Sequence, residues 1–189
     1  MAFRQLAKST HVLEVERKFH SLAVRELTQF GGLPHFKNLR RLPKQIICDS
    51  YYDKSNALST AGAWMRNRDG EWQIKIKKGG NFTNSRFEEL SSIDDIAAYI
   101  KRTTRIDEGE AVNFGLHPIA TFSTIREIWV ADDEFHVVLD TMDFGHQVGE
   151  IELQKILVGK DGNVPTEKQK QIEVQIMDER IIEFMKTYA

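Results

Sequence analysis

The 189-residue sequence has one cysteine, Cys48, and only four prolines, and its hydrophobic residues never run together for long. A single cysteine excludes a disulfide scaffold and any multi-cysteine zinc site. No stretch approaches the roughly 18 apolar residues that cross a bilayer as a helix. The first eight residues, MAFRQLAK, lack the apolar run of a secretory leader, so a cytoplasmic protein is expected. Net charge is nearly absent too: 26 basic against 28 acidic residues give −2. That balance argues against a broad duplex nucleic-acid surface. It does not exclude a small site in which opposite charges are placed together.

What is present is enough for an ordinary folded domain. Hydrophobic residues make up 41% and charged residues 29%, and a chain of this length buries about 70% of its unfolded surface. The expectation is one domain over residues 1–189, with no repeat, low-complexity tract or linker. Period-2 alternation begins with Leu13, Val15, Arg17 and Phe19 against Glu14, Glu16, Lys18 and His20. Further strands are predicted at 45–53, 63–68, 71–78, 84–90, 121–130, 134–140 and 148–155. Helices are predicted over 21–30, ending at Gly31-Gly32, after a Ser92/Asp95 capping box, and over about 165–187 with a break near Asp178. The fold class is α+β, mainly antiparallel: an eight-stranded closed barrel with flanking helices.

The charges sort by strand face. Glu14, Glu16 and Lys18 share one face of the first strand. Asp69-Gly70 makes a two-residue hairpin that sets Arg68 opposite Glu71, Arg66 opposite Gln73 and Trp64 opposite Lys75. One hairpin face then carries Trp64, Arg66, Arg68, Glu71, Gln73, Lys75 and Lys77, and the other Met65, Trp72, Ile74 and Ile76. Residues 131–152 hold seven acids and no lysine or arginine. Asp132, Asp133 and Glu134 read as a hairpin tip, whereas Glu150 and Glu152 repeat the E-x-E spacing of Glu14 and Glu16. Oxygen-only carboxylate clusters suit Mg2+, Mn2+ or Ca2+ rather than zinc. Basic strands and E-x-E strands in one barrel describe a site for a metal-bound polyanion, with a polar interior and apolar faces packed outward against helices.

Other residues read as structural. His11, His20, His35, His117, His136 and His146 lack ligand-like spacing and are expected at the surface or in turns. Cys48 is expected as a small buried hydrophobe, and Gly79-Gly80 as a hairpin loop without Walker spacing.

Taken in order, Glu14-Val15-Glu16-Arg17-Lys18-Phe19, Asp49-Ser50-Tyr51-Tyr52-Asp53, Trp64-Met65-Arg66-Asn67-Arg68, Trp72-Gln73-Ile74-Lys75, Glu89-Leu90, Thr124-Ile125-Arg126 and Leu139 to Glu152 cover residues 11–155. This ordered set resembles the CYTH superfamily of triphosphate tunnel metalloenzymes, closest to its thiamine triphosphatase branch. The resemblance implies an eight-stranded tunnel that hydrolyses the terminal phosphate of a triphosphate with Mg2+, Mn2+ being an alternative ion. It assigns phosphate oxygens to Lys18, Arg66, Arg68, Lys75 and Arg126, and metal to Glu14, Glu16, Glu89, Asp140, Glu150 and Glu152. It gives the thiamine ring to Trp64, where a cationic thiazolium would gain a cation–π contact, and an acid–base couple to Lys18 and Tyr51.

The implied partner is a small-molecule triphosphate, thiamine triphosphate first, with no nucleic acid and no membrane, acting on a monomer. Inorganic triphosphate, nucleoside triphosphates or ATP cyclisation are alternatives within the fold, and a non-catalytic polyphosphate or nucleotide module is an alternative outside enzymology. The family pattern has an acid where Val138 stands, so one metal or arginine contact is expected to be weaker. It also continues past the long helix with a lysine-bearing segment that these 189 residues do not include, so one end of the tunnel is expected to be more open.

Overall fold

The structure, a computed structural model, describes residues 11–105, 112–157 and 165–188. The leader reading of residues 1–8 lies outside that range. Among the described residues no helix is long and apolar enough to cross a membrane.

Nine strands form one antiparallel sheet: β1 (His11–Phe19), β2 (Leu39–Arg41), β3 (Gln45–Asp53), β4 (Ala63–Arg68), β5 (Glu71–Gly80), β6 (Asn84–Leu90), β7 (His117–Ala131), β8 (Phe135–Met142) and β9 (Gln147–Leu157). Eight of them close a barrel in the order β7-β3-β4-β5-β6-β1-β9-β8, with β8 returning to β7. The ninth, β2, is a three-residue addition. It pairs Leu39–Arg41 with Trp129–Ala131, beyond the reach of β3 on the same edge of β7.

The β4–β5 register is the one the Asp69-Gly70 turn dictates: Trp64 faces Lys75, Arg66 faces Gln73 and Arg68 faces Glu71. Both turn residues have positive φ, 50° and 95°, the geometry of a two-residue hairpin whose twist matches its strands. The predicted loop at Gly79-Gly80 is corrected. Both glycines extend β5, with a register shift after Lys77, and the turn is made by 81–83.

Alternation puts charge inside the barrel and hydrocarbon outside. Leu13 and Val15 of β1 pack outward with Val137, Leu139, Ile151 and Leu153 beneath α1 (Ser21–Phe30) and α4 (Glu167–Tyr188), which contribute Val24, Leu27, Val174, Met177 and Ile181. A second cluster joins Met65, Ile74, Ile76 and Leu90 to Leu58 of α2 (Ala57–Thr60) and to Ile96 and Ile100 of α3 (Ile93–Thr104). The α3 start is as read from sequence: Ser92 caps it by accepting from the Asp95 N–H. Acids in its first turn and Lys101 and Arg102 in its last complement the helix dipole. Where α1 crosses β9, Gly149 is required. A Cβ there would meet Val24 at 2.7 Å and Phe19 at 2.9 Å.

Three further expectations are corrected. The α4 helix runs unbroken through Asp178, because that carboxylate is taken by Arg17 and Arg86 of the barrel wall and does not compete for its own backbone. Cys48 is exposed: it points outward from β3 at a level left uncovered, as the exposure of Ile46 on the same face also shows. His11 is buried rather than superficial. Its Nδ1 lies 2.7 Å from Glu88 Oε1, in a cluster that docks α4.

That cluster gives a pH-dependent stability. Burial favours the neutral Glu88 carboxyl, but Lys170 Nζ at 2.5 Å, Lys78 Nζ at 2.8 Å and His11 hold the ionised form, taking the group down to about 2. A carboxylate with a depressed folded value stabilises above its unfolded value and loses that contribution as pH falls toward the folded one. Glu88→Gln is therefore expected to melt below the parent at pH 6, with the gap closing between pH 4.5 and about 2. Equal melting temperatures at pH 6 would mean that the cluster contributes nothing.

Candidate functional site

The inward residues of all eight barrel strands line one cavity of about 580 Å³. Its wall carries six cations, Lys18, Arg66, Arg68, Lys75, Lys77 and Arg126, against seven carboxylates, Glu14, Glu16, Asp49, Glu89, Asp140, Glu150 and Glu152. Two dense, opposed sets of charge thus face the same space and nearly cancel, which a whole-chain sum of −2 conceals.

The first E-x-E pair is held by lysines. Lys75 Nζ stands 2.5 Å from Glu14 Oε1, 3.1 Å from Glu16 Oε2 and 3.8 Å from Glu89 Oε1. Gln154 donates to the other Glu14 oxygen at 2.9 Å. Lys18 bonds Glu16 and lies 3.0 Å from Glu150 Oε1. The second pair meets Arg126, which clamps Asp140 through two bonds of 2.8 and 2.5 Å and reaches Glu152 at 3.5 Å and Glu150 at 3.9 Å. On the hairpin, Arg68 is bidentate to Asp49 at 2.8 and 2.7 Å, and Arg66 bonds Gln73 at 2.9 Å and Glu89 at 3.5 Å.

Burial and crowding set the protonation of these groups. Burial acts against the charge on Lys75, but Glu14, Glu16 and Glu89 hold its ammonium charged well above the usual lysine range. Lys18 is likewise raised against its burial, by Glu150 and Glu16. Burial works to raise Glu14 as well, yet the Lys75 charge and hydrogen bond bring it down to about 2. Glu16 and Glu152 move the other way: burial lifts both, and neighbouring carboxylates add to the lift against Lys75 and Arg126 respectively. Glu89 is raised first by burial and then by Glu14. The wall holds more carboxylate than its own cations neutralise.

Among the described residues, no three His, Cys, Asp or Glu side chains converge as a ready metal cage, since each lining carboxylate is turned toward a cation. The donor set nonetheless fits a hard divalent ion. It is oxygen only, it sits on rigid facing strands with Glu16 and Glu152 as direct cross-strand partners, and its members repel one another where no positive charge intervenes.

The expected site residues all face this cavity, but one pair is not in contact. Lys18 is on β1 and Tyr51 on β3, on opposite sides of the eight-strand ring. Tyr51 stacks on Phe122 at 5.6 Å and acts on the Arg66 guanidinium. Trp64 is 38% exposed and meets Phe87 edge-on at 5.8 Å, which leaves indole surface open. His146 is exposed in the turn between β8 and β9, as expected, and from there it lines the cavity, stacked on Phe144.

The sequence reading assigned no role to Asp49, Gln73 or Lys77. Asp49 was findable: alternation from Tyr51 puts it on the inner face, and pairing puts it opposite Arg68.

A closed antiparallel barrel with an inverted, charge-lined interior defines a tunnel protein of the kind that holds a small polyanion together with hard cations. The chain belongs to the CYTH domain family, whose model matches residues 13–175. It is 32% identical over 180 residues to a thiamine-triphosphatase from Homo sapiens, covering 84% of this chain and 74% of the relative. It is 30% identical, with the same coverage, to a thiamine-triphosphatase from Macaca fascicularis. Among solved structures it is similar to a putative adenylyl cyclase from Hippeastrum described as having a dominant triphosphatase activity, with a TM-score of 0.49, 15% identity and coverage of 94% and 90%. It is also similar to the PH1819 protein from Pyrococcus horikoshii, with a TM-score of 0.46, 16% identity and coverage of 91% and 89%.

Proposed function

We propose that the chain hydrolyses thiamine triphosphate to thiamine diphosphate and phosphate, with Mg2+ and, on the same donors, Mn2+. The reading is carried by Trp64, a half-open indole placed directly opposite Lys75 on the cavity face. A cationic ring stacked there would leave its phosphates among Lys75, Arg66, Arg68, Arg126 and Lys18. The two relatives named thiamine-triphosphatase point the same way.

Phosphoryl transfer needs positioning and charge neutralisation more than covalent chemistry. Each phosphate-binding cation of the wall is already held by a carboxylate, so substrate entry is an exchange. Phosphate oxygens draw Lys18 and Lys75 away from Glu14 and Glu16, and the released carboxylates, with Glu150, Glu152, Glu89 and Asp140, are then open to a divalent ion. When bound, that ion supplies further neutralisation of the phosphate oxygens. Arg66 and Arg68 project from rigid strands at i and i+2, a spacing that suits neighbouring phosphates. Glu150 and Glu16 keep the Lys18 ammonium protonated, so Lys18 holds a phosphate oxygen as a cation and does not act as a base. Tyr51, across the cavity, orients Arg66.

Phosphate release from thiamine triphosphate, inorganic tripolyphosphate and ATP, with Mg2+ and with chelator, tests the reading. Thiamine triphosphate should be the fastest substrate and chelation should abolish its turnover. Equal release from all three removes the thiamine assignment, and release from none makes the chain a binding module.

A further inference from the structure

Lys77 is set apart from the other cations of the cavity. Lys18, Arg66, Arg68, Lys75 and Arg126 each meet carboxylates. No ion pair to Lys77 is present among the described residues, although the residue lines the same cavity and is exposed. Its place explains this. Lys77 N–H donates to the Gly62 carbonyl at 2.8 Å, so the residue across from it on β4's side has no side chain. On its other side the cross-strand partner is the apolar Phe87. An anion reaching this ammonium breaks no existing ion pair, unlike one reaching any of the other five.

The position is also one rung from the ring platform. Lys75 pairs with Trp64, and Lys77 is the next inward residue of the same strand, about 7 Å along it. Trp64 and Lys77 both flank Phe87, the first through a ring contact and the second through pairing. A free ammonium beside an indole attracts an anionic group held there and repels a cationic one. Inorganic tripolyphosphate and a triphosphate ester differ at that end: the terminal phosphate of the former carries an ionisable oxygen where the latter carries its organic group.

We propose that Lys77 is a specificity-determining residue that favours triphosphates with an anionic distal end over those ending in a cationic ring. The inference rests on the reading of the cavity as a triphosphate site: Lys77 works against the selection that Trp64 makes for a cationic ring, and it sets how much tripolyphosphate the tunnel still admits beside the thiamine ester.

Calorimetric titration of the full chain in chelator, where neither ligand is hydrolysed, with tripolyphosphate and with thiamine triphosphate, for the parent, Lys77→Gln and Lys77→Arg, decides it. Lys77→Gln should weaken tripolyphosphate about tenfold, the size of one charge-assisted phosphate contact. Thiamine triphosphate should stay within about twofold or bind more tightly, and Lys77→Arg should keep the parental ratio. Equal weakening of both ligands, or no change in either, overturns the proposal. Binding is read without turnover, so a chain that binds both ligands and hydrolyses neither refutes the hydrolase reading while still deciding this one.

Discussion

Replacing Glu16 by glutamine is expected to lower Mg2+-dependent phosphate release by about a hundredfold or more while the protein stays folded, the scale of losing one preorganised electrostatic contact at a reacting centre. Glu16 is 2% exposed and shares the inner face of β1 with Glu14 and Lys18. It accepts from Lys18 and from Lys75, and its cross-strand partner is Glu152 of the second E-x-E pair. Among the described residues, no other carboxylate of the two E-x-E pairs accepts from two lysines. Glutamine keeps the shape and still accepts from either lysine, so packing is unchanged and the lost quantity is one negative charge.

Stability should move the opposite way from activity. Burial, with Glu150 and Glu14, raises the Glu16 carboxyl above its ordinary value. A group raised in the folded state costs stability as pH climbs through and past its unfolded value, and glutamine removes that cost. In metal-free buffer near pH 7 the variant should therefore melt at or above the parent temperature. Undiminished Mg2+-dependent release would sink the assignment of Glu16 to the metal. Lost activity with a lowered melting temperature would instead indicate a damaged fold.

The contrast between Glu16 and Glu88 shows what could be read before the structure. Both are strand glutamates, and alternation alone places Glu16 with Lys18 on the charged face. The Asp69-Gly70 turn fixes the hairpin register for the same local reason, and so places Arg66, Arg68 and Lys75. Whether such a face points into a cavity or into water depends on barrel closure, which no single strand encodes. Pairing partners are less legible still. Arg68 with Asp49 joins adjacent strands, but Lys75 with Glu14 and Arg126 with Glu152 reach past a neighbouring strand. Short elements escaped for a related reason: Leu39–Arg41 has no alternation of its own and is a strand only because the end of β7 offers it a free edge. Gly79 and Gly80 carry turn chemistry, yet Arg86 and Ser85 across the ladder hold them in β5. The exposure of Cys48 has the same root, since its strand predicts a covered outer face and, among the described residues, Cys48 and Ile46 on that face stay exposed.

Asp178→Ala should be the most destabilising of the substitutions considered. Asp178 is the point at which α4 grips two tunnel walls, taking Arg17 of β1 and Arg86 of β6, the latter at 2.5 Å. Arg17 and Asp178 are each 8% exposed. Removing one partner of a buried pair leaves the other charge uncompensated and costs about 3–5 kcal/mol, which in a domain of this size lowers the melting temperature by roughly 6–20 °C. Asp178→Asn keeps a hydrogen-bond acceptor and should fall between that and the parent. The loss should also depend on acid. Burial opposes ionisation of Asp178, but Arg86 and Arg17 hold it below its ordinary 3.8, so its contribution is full above that pH and shrinks as pH falls through the folded value. Parent and Asp178→Ala should thus converge in strong acid and separate above pH 4. Arg17 lies between Glu16 and Lys18 in the chain, so the clamp fixes on the outer face of β1 the same segment whose inner face carries the site. Equal melting of parent and variant near neutrality would mean that hydrocarbon from Val174, Met177 and Ile181 alone docks the helix, and that the buried charges were never part of the grip.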